Sequence, residues 1–335
     1  MEQRRFLFLL LPALTIHDSS FPQLDMEKAR LCPYPWPEDI SPCACWENEK
    51  FQVFVTCNMD RNISEEDDED HNVIMLLKRA FRCNEEIFSL DINLNGYIWD
   101  HNITSENIGR FKMSYFSLSN FASIDGFVKP GAFSLSQETL LRLRIQKKED
   151  NPSYYSYMEH KSGVETGAFS DLRSLTSITI DGLEKIYPDA FSNLPNLREL
   201  TLSRHGMETL LDVTSVNLPS LALLNLRNNK KMKHIGNLLS NLQNPDLVID
   251  LRGNMIEELR EEEFKPFLDN VFKGKGKGYI DLLDNPLQCG CDTQWFVASR
   301  QKYQDMLRNA QCIGPQDQKY QENSTVVCFS LLSIF

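Results

Sequence analysis

The chain has 335 residues, 47 acidic against 35 basic, and a formal net charge of −12. An acidic balance of this size excludes a general nucleic-acid binder, because a polyphosphate partner demands the opposite sign. Hydrophobic residues at 41% and aromatics at 10% supply enough apolar material for a sizeable globular core.

Residues 1–20 read as a signal peptide: Met1 to Arg5 is basic, Phe6 to Leu14 is apolar, and the run is too short to span a bilayer. Pro12, Ala13, Thr15, Ser19 and Ser20 offer several small-residue cleavage points. No later run is long enough to cross a membrane, and the tail Phe329 to Phe335 is too short for an anchor signal. The expectation is therefore a secreted, extracellular protein with no membrane insertion.

Residues 32–57 then gather Cys32, Cys43, Cys45 and Cys57, and residues 289–328 gather Cys289, Cys291, Cys312 and Cys328. Cysteines entering an oxidising compartment mostly pair, and each cluster of four leaves three connectivities open. Zinc is the competing reading of a Cys-x-Cys pair, and secretion and the absence of a paired histidine motif weigh against it. Cys83 stands outside both clusters. It reads either as a buried thiol beneath Phe81 or as one half of an interchain disulfide. The acidic run Ser64–Asp70 reads as a solvated loop, with calcium or a basic partner as the alternative; it lacks the spaced ligands and glycine of an EF-hand loop.

Between the clusters, residues 58–288 repeat. Leu197, Leu200, Leu202, Met207 and Leu210 follow the spacing L-x-x-L-x-L-x-x-N-x-L-x-x-L, with His205 in the asparagine slot. Leu221, Leu224, Leu226 and Asn229 obey it, as do Ile249, Leu251, Asn254, Ile256 and Leu259, and then Ile280, Leu282, Asn285 and Leu287. Upstream, apolar pairs two apart recur at Leu90/Ile92, Phe116/Leu118, Leu143/Ile145 and Ile178/Ile180, the period of a half-buried strand. The pattern predicts about eight short parallel strands in leucine-rich repeats. Ala80-Phe81, Ala132-Phe133, Ala168-Phe169 and Ala190-Phe191 keep phase with them, and Phe264 holds the related place later. These phenylalanines are expected to fill the convex side, because one coil cannot bury its own apolar face and must stack on neighbours. The slot asparagine does something different, since its amide satisfies backbone groups where the chain leaves the strand, which would otherwise be buried unpaired at roughly 1 to 3 kcal/mol each. His205 is read as doing the same, with a ligand or base as the alternative.

Two segments interrupt the repeat. Gln146–Val164 lengthens one turn and carries Lys147, Lys148, Tyr154, Tyr155, Tyr157, His160 and Lys161. Tyrosine with lysine on a projecting loop suits protein recognition, and a tolerated surface insertion is the alternative. Lys273–Gly278, the stretch KGKGKG, reads as a flexible basic loop before the last strand and lacks the spacing of a phosphate-binding loop. After Cys291, Trp295, Phe296, Ser299, Tyr303 and Leu307 recur at helical spacing and predict one short amphipathic helix with Trp295 as a core plug.

The predicted fold is an α/β leucine-rich-repeat solenoid, with a curved parallel sheet on the concave face and disulfide-bonded caps at both ends. Asp91, Asn93, Ser117, Arg144, Thr179, Asp181, Thr201, Ser203, Asn225, Arg227, Asp250, Arg252 and Asp281 would project from the concave face. These side chains are mixed, small and polar, which suits a contact surface more than a reaction centre. Strands about 4.8 Å apart make a face roughly 35 Å long, enough for a standard interface of about 800 Å² per partner. No G-x-S-x-G, H-E-x-x-H or glycine-rich dinucleotide fingerprint occurs, so no catalytic residue, cofactor or metal is expected. Asn62, Asn102 and Asn323 open sequons for glycosylation. The function expected is non-enzymatic binding of a secreted or cell-surface protein through the concave face and the tyrosine-bearing insertion.

Cys32-Pro33 followed by Glu38-Asp39-Ile40-Ser41-Pro42-Cys43-Ala44-Cys45 resembles the opening of secreted arthropod leucine-rich-repeat proteins of the family named for the Oplophorus-luciferin 2-monooxygenase non-catalytic subunit. The resemblance covers most of the chain after the signal segment. Its most specific part is this cysteine segment, since the repeats are shared with many receptors, matrix proteins and adhesion proteins. It implies a scaffold accompanying a small catalytic subunit, so the alternative function is a non-catalytic stabilising subunit of a secreted oxidoreductase of the luciferase kind. It carries over no catalytic residues, and the tyrosine-rich insertion and the acidic run depart from it. Resemblance to leucine-rich-repeat caps also implies the pairings Cys32–Cys45, Cys43–Cys57, Cys289–Cys312 and Cys291–Cys328.

Overall fold

The computed structural model describes residues 30–31, 43–59, 86–96, 98–99, 101–121, 123–124, 126–148, 162–187, 189–205, 218–288 and 293–311. The segment 1–20, the acidic run Ser64–Asp70, Ala80-Phe81, Cys83, the stretch from Tyr154 to Lys161, Met207 and Leu210 lie outside the described residues. So do Cys32, Cys289, Cys291, Cys312 and Cys328, and the sequon residues Asn62 and Asn323.

The first strands are β1 (Arg30–Leu31), β2 (Cys43–Glu47), β3 (Val53–Asn58), β4 (Glu86–Asn93), β5 (Ile98–Trp99) and β6 (Lys112–Phe121). Next come β7 (Ser123–Ile124), β8 (Gly126–Val128), β9 (Arg142–Lys147), β10 (Ser162–Val164), β11 (Ser177–Asp181) and β12 (Lys185–Ile186). The last are β13 (Glu199–Ser203), β14 (Leu223–Asn225), β15 (Val248–Asp250), β16 (Tyr279–Asp281) and β17 (Leu307–Arg308). Among the described residues, one sheet of twelve strands takes the order β1-β2-β3-β4-β6-β9-β11-β13-β14-β15-β16-β17. β1, β2 and β3 pair antiparallel, and from β3 onward every neighbouring pair is parallel. Each parallel step needs a crossover, and two of the crossovers' own strand sets pair with each other, as β5-β7 and as β8-β10-β12.

Alternation explains the sheet. Leu90, Ile92, Phe116, Leu118, Leu143, Ile145, Ile178 and Ile180 are buried, and the residues between them face the other way. Leu226, Leu251 and Leu282 stand just past the ends of β14, β15 and β16 and are buried too. The parallel run includes the strands the periodicity predicts, and it is extended by β3 before them and β17 after them.

Behind the sheet the phenylalanines stack. Ring centroids are 5.4 Å apart for Phe116–Phe133, 6.4 Å for Phe133–Phe169 and 5.6 Å for Phe169–Phe191. Ala132, Ala168 and Ala190 are buried beside them, small enough to let successive crossovers approach. Phe264 is buried later on helix α1 (Glu261–Gly274), whose Phe264, Phe267, Leu268 and Val271 recur at helical spacing and form its inward stripe.

At the start of the sheet, Cys43 stands opposite Cys57 in the β2–β3 register. A disulfide joins them with Cα atoms 3.9 Å apart, and Cys45 is disulfide-bonded as well. The bridge pins the antiparallel hairpin against which the first parallel strand is laid.

Two local expectations are corrected. Lys273–Gly278 is not a flexible loop: Lys273 and Gly274 end α1, and Lys275 caps it in the left-handed conformation at φ 52°. The Lys275 and Gly276 N–H groups donate to the carbonyls of Phe272 (3.2 Å) and Val271 (3.0 Å). A Cβ on Gly276 would lie 2.1 Å from the Pro245 carbonyl oxygen, so glycine serves close approach there. The single helix expected from Trp295 to Leu307 is two short ones, α2 (Gln294–Ala298) and α3 (Arg300–Tyr303). Leu307 instead sits on β17, because the chain turns back to pair with β16. Trp295 is half-buried against the core and donates to the Leu259 carbonyl at 2.8 Å.

Replacing Phe169 by Ala removes the ring that contacts both Phe133 and Phe191, and the expected loss is about 3 to 5 kcal/mol. Chemical denaturation of the two proteins checks it; a loss under about 1 kcal/mol contradicts the stack as the core's spine.

Candidate protein-contact face

A column of buried amides fixes the loops that follow β13 to β16. Asn229 donates from Nδ2 to the carbonyls of Leu202 (2.9 Å) and Leu226 (2.7 Å), and its Oδ1 accepts from the His205 N–H at 2.7 Å. Asn254 donates to Leu226 (3.1 Å) and Leu251 (2.7 Å) and accepts from the Asn229 N–H at 2.7 Å. Asn285 donates to Leu251 (2.8 Å) and Leu282 (3.0 Å) and accepts from the Ile256 N–H at 3.1 Å. His205 occupies the same position, its Nδ1 2.7 Å from the Leu183 carbonyl and its Nε2 3.1 Å from that of Ile180. Burial pushes this imidazole below its usual value, so it is neutral and has one N–H for two carbonyls.

On the open side of the sheet the pairing register draws one straight row: Thr56, Asp91, Ser117, Arg144, Thr179, Thr201, Asn225, Asp250 and Asp281. Asn93, Ser119, Gln146, Asp181 and Ser203 form a second row in register. Exposure differs along them. Arg144, Thr179, Thr201 and Arg252 are half-buried and Arg227 is exposed, whereas Asp181, Ser203, Asn225 and Asp250 are buried.

The buried ones are held by the protein itself. Asp181 accepts two hydrogen bonds of 2.6 Å from Arg204, whose guanidinium also donates to the Lys147 carbonyl at 2.9 Å. Asp250 accepts from Nε (2.9 Å) and Nη2 (2.6 Å) of Arg252, a bidentate pair, and Arg252 also lies 4.0 Å from Asp281. Asn225, Asp250 and Asp281 each accept the N–H two residues on, of Arg227, Arg252 and Leu283, closing the turn at the strand's end. The hydroxyls of Thr179 and Thr201 make no hydrogen bond among the described residues.

A third row was not legible in the polar pattern: Tyr115, Arg142, Ser177, Glu199, Leu223, Val248 and Tyr279. Leu223, Val248 and Tyr279 put three apolar side chains side by side on the open face, all half-buried, and the Arg308 guanidinium lies 3.5 Å from the Tyr279 ring centroid. Stepping two residues back along each strand from Asn225, Asp250 and Asp281 would have found them.

Tyr154, Tyr155 and Tyr157 lie outside the described residues. Asn102 is exposed, and its Oδ1 accepts from the Phe127 N–H at 2.8 Å. Its neighbour Ile103 bridges Val128, so Asn102 sits beside the three-stranded sheet and not on the long one. Among the described residues no three His, Cys, Asp or Glu side chains converge to hold a metal ion, and no helix is long and apolar enough to cross a membrane.

Residues 181–230, from the end of β11 through His205 to Asn229, match the family described as leucine rich repeat. That segment carries leucine-rich repeats. The chain is 22% identical over 335 residues to the Oplophorus-luciferin 2-monooxygenase non-catalytic subunit of Oplophorus gracilirostris, across 87% of each chain. It is 23% identical over 219 residues to the CD180 antigen of Homo sapiens, across 59% of this chain and 32% of that one.

His205→Asn places a two-donor amide at the fourth rung. Because the buried imidazole stays neutral while the unfolded chain takes up a proton near its ordinary value of about 6.5, the parent loses stability as pH falls. The stability difference in favour of the variant is expected to widen between about pH 7 and pH 5 in urea titrations. A pH-independent difference contradicts a neutral, buried His205.

Proposed function

We propose that this chain is a secreted, non-enzymatic leucine-rich-repeat protein that binds another secreted or cell-surface protein through the concave, open face of a solenoid. The observation that carries this reading is the in-register row from Thr56 to Asp281, mixed and polar, with the half-buried Leu223, Val248 and Tyr279 beside it. Small polar side chains around a few apolar or aromatic anchors are the composition of a protein interface. The contacts fall on Arg144, Thr179, Thr201, Arg227 and Arg252, with Asp181, Ser203, Asn225 and Asp250 beneath, and Tyr154, Tyr155 and Tyr157 of the insertion reach the same partner. Caps at residues 32–57 and 289–328 close the ends, with disulfides among Cys32, Cys43, Cys45 and Cys57 and among Cys289, Cys291, Cys312 and Cys328. Glycans on Asn62, Asn102 and Asn323 would leave the face open, a reading supported by the place of Asn102 beside the three-stranded sheet.

A second reading is favoured by one observation, the similarity across 87% of both chains to a protein named a non-catalytic subunit. On this reading the partner is a small secreted catalytic chain, an oxidoreductase of the luciferase kind, which this chain stabilises.

The test is recovery of the tagged, secreted chain under non-reducing conditions, with and without Thr179→Trp and Thr201→Trp. A stoichiometric partner is expected with the parent and not with the double variant, at unchanged melting temperature. A partner retained by the folded double variant contradicts the face. A recovered enzyme whose half-life shortens on separation selects the second reading, and a matrix or receptor protein selects the first.

A further inference from the structure

The turn after β14 carries Arg227, Lys230, Lys231 and Lys233, all exposed. No acidic residue stands between Asp212 and Asp246, in a chain whose net charge is −12. None of the four makes an ion pair or side-chain hydrogen bond among the described residues. Three carboxylates of the next coil are engaged elsewhere: Glu258 accepts from Arg260 at 2.8 Å, Glu257 from Gln288 at 3.3 Å, and Glu263 from the Ile235 N–H at 2.9 Å.

The turn itself is held firmly. Asn229 and Met232 are buried, the Met232 N–H donates to the Asn229 carbonyl at 2.8 Å, and the Met255 N–H donates to the Met232 carbonyl at 2.9 Å. The last bond seats Met255 beside the lysines, where it is 37% exposed. Like charges gathered on a rigid turn repel one another and offer the fold nothing, yet they present a field already shaped for an anion. Met255 narrows the chemistry, because an exposed thioether adapts to an apolar side chain, which a sulfated polysaccharide or a nucleic acid does not bring.

We propose that this turn and Met255 take an acidic segment of a partner protein, one with an apolar side chain among its carboxylates. The inference rests on the adjoining sheet face being a protein-contact surface, since Arg227 ends that face and begins the turn. It adds the sign and character of the partner at one end.

The probe is a short dye-labelled peptide of glutamates and aspartates around one leucine, titrated by fluorescence anisotropy against the full chain in dilute salt. Saturable binding is expected. It should weaken about tenfold in the Lys230→Ala, Lys231→Ala, Lys233→Ala variant, and further as added salt shortens the Debye length. Met255→Ser should weaken it several-fold, and replacing the peptide's leucine by serine should do the same. The lysine variant's melting temperature, matched to the parent's, excludes unfolding. Absence of saturable binding, or binding indifferent to the three lysines, overturns the proposal. So does a heparin oligosaccharide that displaces the peptide and is itself indifferent to Met255→Ser, which would give the patch to a polysaccharide. The Thr179→Trp, Thr201→Trp variant should bind the peptide normally, so failure of the turn and failure of the sheet face are separable.

Discussion

The structure depends on the buried side-chain amide that follows each of the later strands. A parallel sheet built from short strands must turn its chain inward at every strand's end, and each turn buries carbonyls and an N–H that water can no longer reach. Asn229, Asn254 and Asn285 meet this with one arrangement, two N–H groups to carbonyls of their own and the preceding coil, and one oxygen for an N–H of the preceding coil. Every bond between coils also sets their register, so the column fixes spacing as well as satisfying polar groups.

A backbone held in this way frees the outward side chains from structural duty, and the face is graded accordingly. Toward the strand ends, Asp181 and Asp250 are clasped by Arg204 and Arg252 and the Asx turns fold back on the chain. In mid-strand, Thr179 and Thr201 carry hydroxyls without protein partners among the described residues, and toward the strand starts Leu223, Val248 and Tyr279 stand half-covered. A surface of this kind has complementarity to offer along its length and an apolar anchor near one end, which is how protein interfaces concentrate their binding energy.

Most of the sheet was legible because leucine and isoleucine two apart, with an asparagine three beyond, admit few other structures. The phenylalanines were legible by phase, and Phe116, Phe133, Phe169 and Phe191 do stack. What escaped has physical causes. Gly276 reads as flexibility when only a sequence is seen, but it serves contact with Pro245, a residue 31 positions earlier along the Asp246–Lys277 pairing. Helical spacing from Trp295 to Leu307 does not reveal that the chain must return to the sheet at β17. Asp181 and Asp250 read as exposed because the arginines that cover them come from the next coil or the following turn. Leu223, Val248 and Tyr279 were hidden by the assumption that apolar strand residues face inward.

The most direct test of this account is the unfolding free energy of Asn254→Leu, a near match in volume that can neither donate nor accept. The Asn229 N–H then loses its partner, while the Leu226 and Leu251 carbonyls each lose one of two donors and keep Asn229 and Asn285. At roughly 1 to 3 kcal/mol for the orphaned N–H and about 0.5 to 1.5 kcal/mol for each lost bond, the loss should be on the order of 2 to 6 kcal/mol. A variant within about 1 kcal/mol of the parent would mean that the coils are held by apolar packing alone and that the amide column follows the fold without determining it.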